Sequence, residues 1–293
     1  MAKPLPRPFL KSLGGKTRMI PFILAELPEK VGTYYEPFLG GGAVFLALAR
    51  GGRLKKAILN DSNPDLMNAW VVVQSDVDDL IKELRNGKYA YDRATYARIR
   101  AESPSAPVER AARTVYLNKT CFNGLWRVNL DGRFNVPFGD YKDPVICDEE
   151  NLRAVSETLK GTTLLCGPYE SALSPVAGRK AKRGDTVYLD PPYYPLSKTS
   201  SFTGYTSAGF SAADHWKLRG VFGSLVEAGV KVILSNSSAE EVRTMYSGFD
   251  VKDLVGSRSI GGPASYRRSV KEVMISGPVR APKDRPGTRP SSG

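Results

Sequence analysis

Histidine is almost missing from this chain of 293 residues, with His215 standing alone. One imidazole leaves little basis for a histidine-based triad or metal site, and its place near the start of an expected helix favours structure over chemistry. Cysteine is nearly as scarce. Cys121, Cys147 and Cys166 are odd in number and widely spaced, which offers neither a disulfide framework nor a zinc pattern and fits a reducing compartment. No apolar run reaches the roughly 18 residues that a membrane span needs, and Met1 to Pro8 carries Lys3 and Arg7 without the apolar core of a signal segment before Lys11. These absences describe a cytoplasmic protein with no membrane partner. Acidic residues are also in deficit, 30 against 42 lysines and arginines, and the resulting formal charge of +12 favours a polyanionic partner. The length allows one large domain or two small ones, either able to bury a core.

What the chain does contain is organised around Val187-Tyr188-Leu189-Asp190-Pro191-Pro192-Tyr193. An apolar run from Thr186 to Leu189 reads as a short buried strand. It ends where two prolines forbid further ladder hydrogen bonds. A carboxylate, a rigid turn and an aromatic ring are thereby placed at the carboxyl end of a strand, where open α/β sheets bind ligands. Methylation of an exocyclic amine on a nucleobase suits such a group. The amine is a poor nucleophile because its lone pair is delocalised into the ring. Acceptors on its two protons, the Asp190 carboxylate and the Pro191 carbonyl, favour the pyramidal nitrogen, and Pro192 keeps them rigid so that little reorganisation is needed. Tyr193 is placed to stack on the base. Taken alone, the tetrapeptide is a weak signal, and a proline-capped strand end with a packed tyrosine is the lesser alternative.

Several other stretches bear on this reading. Gly14-Gly15-Lys16 precedes a helical pattern from Met19 to Leu27 interrupted by Pro21. Tyr34 to Leu48 has the strand, glycine turn and helix of a nucleotide-binding unit, and Ala57 to Asp61 follows as a strand ending in an acid placed to accept ribose hydroxyls. Phe38, Gly40 and Gly42 match an F-x-G-x-G pattern rather than G-x-G-x-x-G. Asn63-Pro64 caps a helix expected from Asp65 to about Arg85 with a break near Ser75, and helical patterns continue over 89–101 and 108–119. Three helices without an intervening strand do not continue βαβ alternation, so an inserted, mostly helical subdomain is expected. Phe122 to Gly139 closes it with a hairpin turning at Asp131-Gly132. A two-stranded ribbon fits the major groove, where Arg127 and Arg133 match guanine edges and Phe122 and Leu125 offer apolar contacts; on this stretch alone a surface hairpin with packed aromatics is the better reading. Asp148 caps a helix to about Leu159. Strands follow at 162–166, 230–234, 249–255 and 269–275, with a Ser211-x-x-Asp214 capping box between them. The loop 195–209 reads as a lid, and 179–183 as a loop charge cluster, ordinarily a solvated run, that could also meet phosphates.

Lys11-x-x-Gly-Gly-Lys16, Glu36-Pro-Phe-x-Gly-x-Gly42, Asn60-Asp61, Phe122-Asn-Gly-Leu-x-Arg127, Phe134-Asn-Val-Pro-Phe-Gly139 and Asp190-Pro-Pro-Tyr193 occur in an order that resembles the Dam-type (class D12) DNA adenine-N6 methyltransferases. The likeness runs from about Phe9 to Ile275. It implies a Rossmann-like α/β sheet of the S-adenosylmethionine-dependent type formed by 1–61 and 148–276, a target-recognition subdomain with its β-hairpin at 62–147, and a disordered basic tail at 277–293. It also implies that Lys16, Asp61 and Asp190, with Ser12 and the backbone at Phe38 and Gly40, contact S-adenosyl-L-methionine, and that Tyr169 lies beside the cofactor's adenine. The family commonly has an aromatic residue where Ser12 stands. Phe122, Asn123, Leu125, Arg127, Arg133 and Pro137 would face double-stranded DNA, with GATC as the implied target. No metal, no obligatory protein partner and a monomer are expected. Two alternatives remain at this point, an N4-cytosine methyltransferase and a DNA-binding relative without catalysis. C5-cytosine methylation is disfavoured because none of the cysteines follows proline.

Overall fold

The central strands are buried along their whole length, and this decides the architecture. The computed structural model describes residues 5–11, 16, 19–173, 180–196, 210–256 and 270–277. Within them, β1 (Thr33–Glu36), β2 (Lys56–Asp61), β3 (Thr163–Cys166), β4 (Thr186–Leu189), β5 (Lys231–Ser237), β6 (Asp250–Gly256) and β7 (Val270–Ser276) form one seven-stranded sheet in the order β3-β2-β1-β4-β5-β7-β6. The first five are parallel; β7 runs antiparallel between β5 and β6. Every residue of β1 and of β4 is buried, as a parallel sheet covered on both faces requires.

Neighbouring residues on a strand point to opposite faces. Accordingly Tyr34, Leu59, Tyr188 and Ile233 join one apolar cluster, while Tyr35, Ile58, Val187, Leu189 and Val232 join another on the far face. The first cluster continues through α1 (Ile20–Glu26), α2 (Ala43–Arg50), α3 (Pro64–Ser75), α4 (Val77–Leu84), α5 (Arg93–Ala101), α6 (Pro107–Thr120) and α7 (Glu149–Thr158). The run of helices without strands therefore extends the sheet's own core rather than building a separate one. The second face is covered by α8 (Glu170–Leu173), α9 (Ala212–Glu227) and α10 (Glu240–Met245). Among the described residues, no helix is long and apolar enough to cross a membrane.

Local chemistry accounts for the helix ends. The Asn63 side chain accepts from the backbone of Asp65 and Leu66, Asp148 accepts from Asn151, and Ser211 with Asp214 closes a reciprocal capping box. The break near Ser75 is the step from α3 to α4 at Asp76. Two expectations need correction. Pro21 does not interrupt a helix; it sits in the first turn of α1, where a missing N–H has no partner to lose. The hairpin turns one residue earlier than expected. The Gly132 N–H donates to the Asn129 carbonyl at 3.0 Å, so Leu130 and Asp131 occupy the centre of the turn. Gly132 follows at φ +75°, a left-handed position that glycine alone fills without strain. Its arms are joined by the isolated bridges Val128 to Phe134 and Cys121 to Phe138, not by a continuous ladder.

Candidate active site

Strand order reverses between β1 and β4: the chain moves outward through β2 and β3 on one side and through β5 on the other. Loops leaving the carboxyl ends of β1 and β4 therefore diverge and leave a crevice. The glycine turn lines one wall. After β1 the chain turns through Gly40 at φ +48° and Gly42 at φ +64°, and the Leu39 N–H is tied to the Asn60 carbonyl at 2.9 Å. The acid ending β2 latches this turn. Asp61 Oδ2 accepts the Gly40 N–H at 2.9 Å and Oδ1 accepts the Asn63 N–H at 2.9 Å. Burial pushes the Asp61 carboxyl above the usual range, opposed by backbone N–H groups of Asn63, Gly40 and Ser62. Asn60 spans the next gap, its amide donating to the Pro37 and Gly167 carbonyls, each at 3.0 Å.

Trp70 of α3 closes the turn from behind, donating from Nε1 to the Gly40 carbonyl at 3.0 Å. A Cβ on Gly42 would lie 2.7 Å from the Trp70 ring. Gly42→Ala combines that clash with a left-handed backbone, so a loss of about 1–3 kcal/mol in unfolding free energy is expected. Urea denaturation checks it, and an unchanged midpoint would show that the turn relaxes freely. Above the turn, Phe38 stacks on Tyr169 with centroids 5.3 Å apart, and Phe210 meets Phe38 edge-on at 6.0 Å.

The opposite wall is the motif after β4. Lys16 Nζ lies 2.8 Å from Asp190 Oδ1 and also donates to the Tyr193 hydroxyl. Only 8% of the Lys16 side chain is accessible, against 24% for Asp190, so the pair is largely enclosed and the carboxylate is its more accessible member. Burial raises the Asp190 carboxyl above the usual aspartate range, and the Lys16 ammonium pulls it back. The loop is pinned to β5, where Tyr194 N donates to Asn236 Oδ1 at 2.9 Å and Ser237 Oγ donates to the Tyr194 carbonyl at 2.7 Å. His215 packs edge-on against Tyr194 and Phe210. Burial lowers its imidazole to about 4, so it is neutral near pH 7 and acts as packing.

Lys16, Asp190 and Tyr193 are thus in direct contact, and Phe38, Gly40, Asp61 and Tyr169 line the adjoining turn. Ser12 lies outside the described residues, as do the stretch 197–209 of the expected lid, Arg179 of the basic cluster and the tail after Gly277. Two acids at the site had no role assigned from the sequence, although Glu36 stands within one of its motifs. Glu36 ends β1, 2% exposed; its signal was a carboxylate in an otherwise apolar strand. Glu272 on β7 accepts from the Tyr193 hydroxyl at 3.0 Å, a pairing across 79 residues with no local signal.

In the hairpin, Trp126, Phe134 and Val136 are buried, the first two packed ring to ring at 4.9 Å, while Phe122, Asn123, Arg127, Arg133 and Pro137 are exposed and Leu125 is half-buried. Arg127 is held across the ribbon by Asn135, its Nε donating to Oδ1 at 2.7 Å.

A family model, D12 class N6 adenine-specific DNA methyltransferase, matches residues 12–260. The chain belongs to that family. It is 39% identical to the type II methyltransferase M1.LlaDCHI of Lactococcus lactis subsp. cremoris, over 92% of this chain and 94% of the relative. It is 40% identical to the type II methyltransferase M.MjaIII of Methanocaldococcus jannaschii, over 92% and 98%. A DNA adenine methylase of Haemophilus influenzae is 35% identical, over 92% of each. This protein is accordingly an adenine-specific DNA methyltransferase, and the N4-cytosine alternative gives way.

Proposed function

We propose that this D12 methyltransferase uses S-adenosyl-L-methionine as donor and methylates N6 of an adenine flipped out of double-stranded DNA, at GATC. The observation that carries this reading is that the Lys16–Asp190–Tyr193 cluster and the carboxylate-latched glycine turn follow the carboxyl ends of the adjacent strands β4 and β1, where strand order reverses. The groups lining the crevice fit the cofactor. Asp61 is acceptor-only when ionised, and its two oxygens retain acceptor capacity for hydroxyls beyond the backbone N–H groups they already meet. Phe38 and Tyr169 form an aromatic wall suited to a purine, and Asp190 with Lys16 offers charges of both signs to an amino-acid end. When bound, the cofactor supplies an electrophilic methyl group on sulfonium.

The chain's own residues then do the rest. Lys16 occupies Asp190 Oδ1, leaving Oδ2 to accept one N–H of the adenine amine while the Pro191 carbonyl accepts the other. Both acceptors hang on a proline-fixed turn pinned to β5, so they meet the developing positive charge without rearrangement. Tyr193 provides a platform for the extruded base, which compensates part of the unstacking cost. The segment 62–147 serves target recognition, and the exposed face of its ribbon presents Arg127, Arg133, Phe122, Asn123, Leu125 and Pro137 to the duplex. The +12 charge supplies nonspecific attraction to phosphates.

Nucleoside analysis after incubating purified enzyme, cofactor and duplexes tests this directly. N6-methyladenine confined to GATC duplexes is the expected product; transfer to cytosine, to single strands only, or equally to scrambled sites would overturn it. Arg127→Ala is expected to lower discrimination at one base pair by about 1–3 kcal/mol. Equal kcat/KM ratios for wild type and variant across singly substituted sites would remove the ribbon as reader.

A further inference from the structure

We infer that Glu272 is a positioning residue for methyl transfer, acting through the hydroxyl of Tyr193. A phenolic hydroxyl carries one donor proton and accepts through its lone pairs, while a lysine ammonium can only donate. Because Lys16 Nζ meets the Tyr193 hydroxyl, that oxygen must accept from it, and its own proton goes to Glu272 Oε2 at 3.0 Å. The order of donors is therefore fixed: Lys16 to Tyr193 to Glu272, with Asp190 holding the other side of the ammonium at 2.8 Å. Half-buried Glu272 completes the hydrogen-bonded chain that holds the hydroxyl end of the Tyr193 ring.

The fold brings this acid to the site by an unusual route. Glu272 pairs in register with Ser237, and Ser237 Oγ holds the Tyr194 carbonyl at 2.7 Å. Two adjacent tyrosines are thus fixed from two strands, the backbone of Tyr194 from parallel β5 and the ring of Tyr193 from antiparallel β7. A base stacked on Tyr193 keeps its amine near Asp190 only while that ring stays put, and small misplacements of a reacting group are expensive. Loss of the Glu272 carboxylate leaves the hydroxyl end of the ring held by Lys16 alone, without touching the acceptors themselves.

This inference rests on the reading of Tyr193 as the base platform, and a double-mutant cycle separates the two. Glu272→Ala is expected to lower kcat about tenfold, the loss of one hydrogen bond to a charged acceptor, with KM for DNA changed less. Glu272→Gln, whose amide oxygen still accepts from the hydroxyl, should stay within about threefold of wild type. In the Tyr193→Phe background Glu272→Ala should cause no further loss, because the group it acts through is gone. With 2-aminopurine at the target position, Glu272→Ala should leave flipping intact and reduce the quenching that stacking on Tyr193 produces. Thermal melts establish folding, and Glu272→Met, close in volume, replaces Glu272→Ala if that variant does not fold. Fully additive losses, or wild-type kcat in the truncated variant, would overturn the inference. If Tyr193→Ala is inactive while Glu272→Ala is not impaired, only the role of Glu272 falls; a fully active Tyr193→Ala removes the platform itself.

Discussion

Asp190→Asn is expected to lower kcat by about a hundred- to a thousandfold while duplex DNA binding changes little. Asparagine keeps the shape and one acceptor oxygen but loses the charge that attracts the developing ammonium, so the deficit falls on the transition state rather than on ground-state binding. The conservative variant is preferred to alanine on physical grounds. Lys16 is 6% exposed and its ion-pair partner is Asp190; removing the whole side chain strands a buried ammonium, a change that commonly costs about 3–5 kcal/mol and confuses folding with catalysis. The raised Asp190 pKa adds a pH signature. Only the ionised carboxylate offers the negative charge that stabilises the developing ammonium, so the acid limb of kcat should lie above the ordinary aspartate range in wild type and be absent from the asparagine variant. Stopped-time methyl incorporation from pH 5 to pH 9 measures both features. An asparagine enzyme with wild-type kcat would take Asp190 out of the chemistry.

The parts of this site that could be read in the sequence are those whose physics is local. Two prolines stop a strand wherever they occur, so the position of Asp190 at the end of β4 followed from Pro191 and Pro192. Asn63, Asp148 and Ser211 cap helices through bonds spanning two or three residues. The latch of Asp61 on Gly40 and the contacts of Lys16 with Asp190 and Tyr193 are different in kind, because each joins distant residues through the topology of the sheet. Motif order brought these residues together by family likeness before any geometry was known. Nothing of that sort pointed to Glu272. Its role depends on β7 entering antiparallel between β5 and β6, and two late strands in a chain do not disclose their pairing. The hairpin shows a smaller loss of information: Asp131-Gly132 marked the turn, but the Asn129 carbonyl decided which residues stand at its centre.

Glu36→Gln is expected to become progressively more stable than wild type as pH rises from about 4.5 to about 8, with the gap constant above that. Burial raises the Glu36 carboxyl to about 8; hydrogen bonds from Tyr34 at 2.9 Å and Phe45 N at 3.2 Å oppose the rise, and the charges of Asp190 and Asp61 add to it. The folded state therefore holds a proton that the unfolded chain releases near its ordinary value of 4.5. Below that value the contribution is fully present. Between it and 8 the unfolded chain binds fewer protons, so stability falls with each pH unit, and above 8 both states are ionised and the slope vanishes. A shift of this size corresponds to on the order of a few kcal/mol. Glutamine stays neutral and can accept from both Tyr34 and Phe45 with its oxygen, so it escapes the decline. Urea unfolding of the two proteins at pH 5, 7 and 9 reads the difference directly, and a gap that does not vary with pH would show that Glu36 is already ionised in the fold. The same electrostatics tie this acid to catalysis. Near pH 7 a neutral Glu36 leaves Lys16 to balance Asp190 without a third carboxylate at the end of β1. Neutralising Asp190 as asparagine should lower the Glu36 pKa and draw the upper end of the stability window down with it, an effect that requires the two acids to share one field.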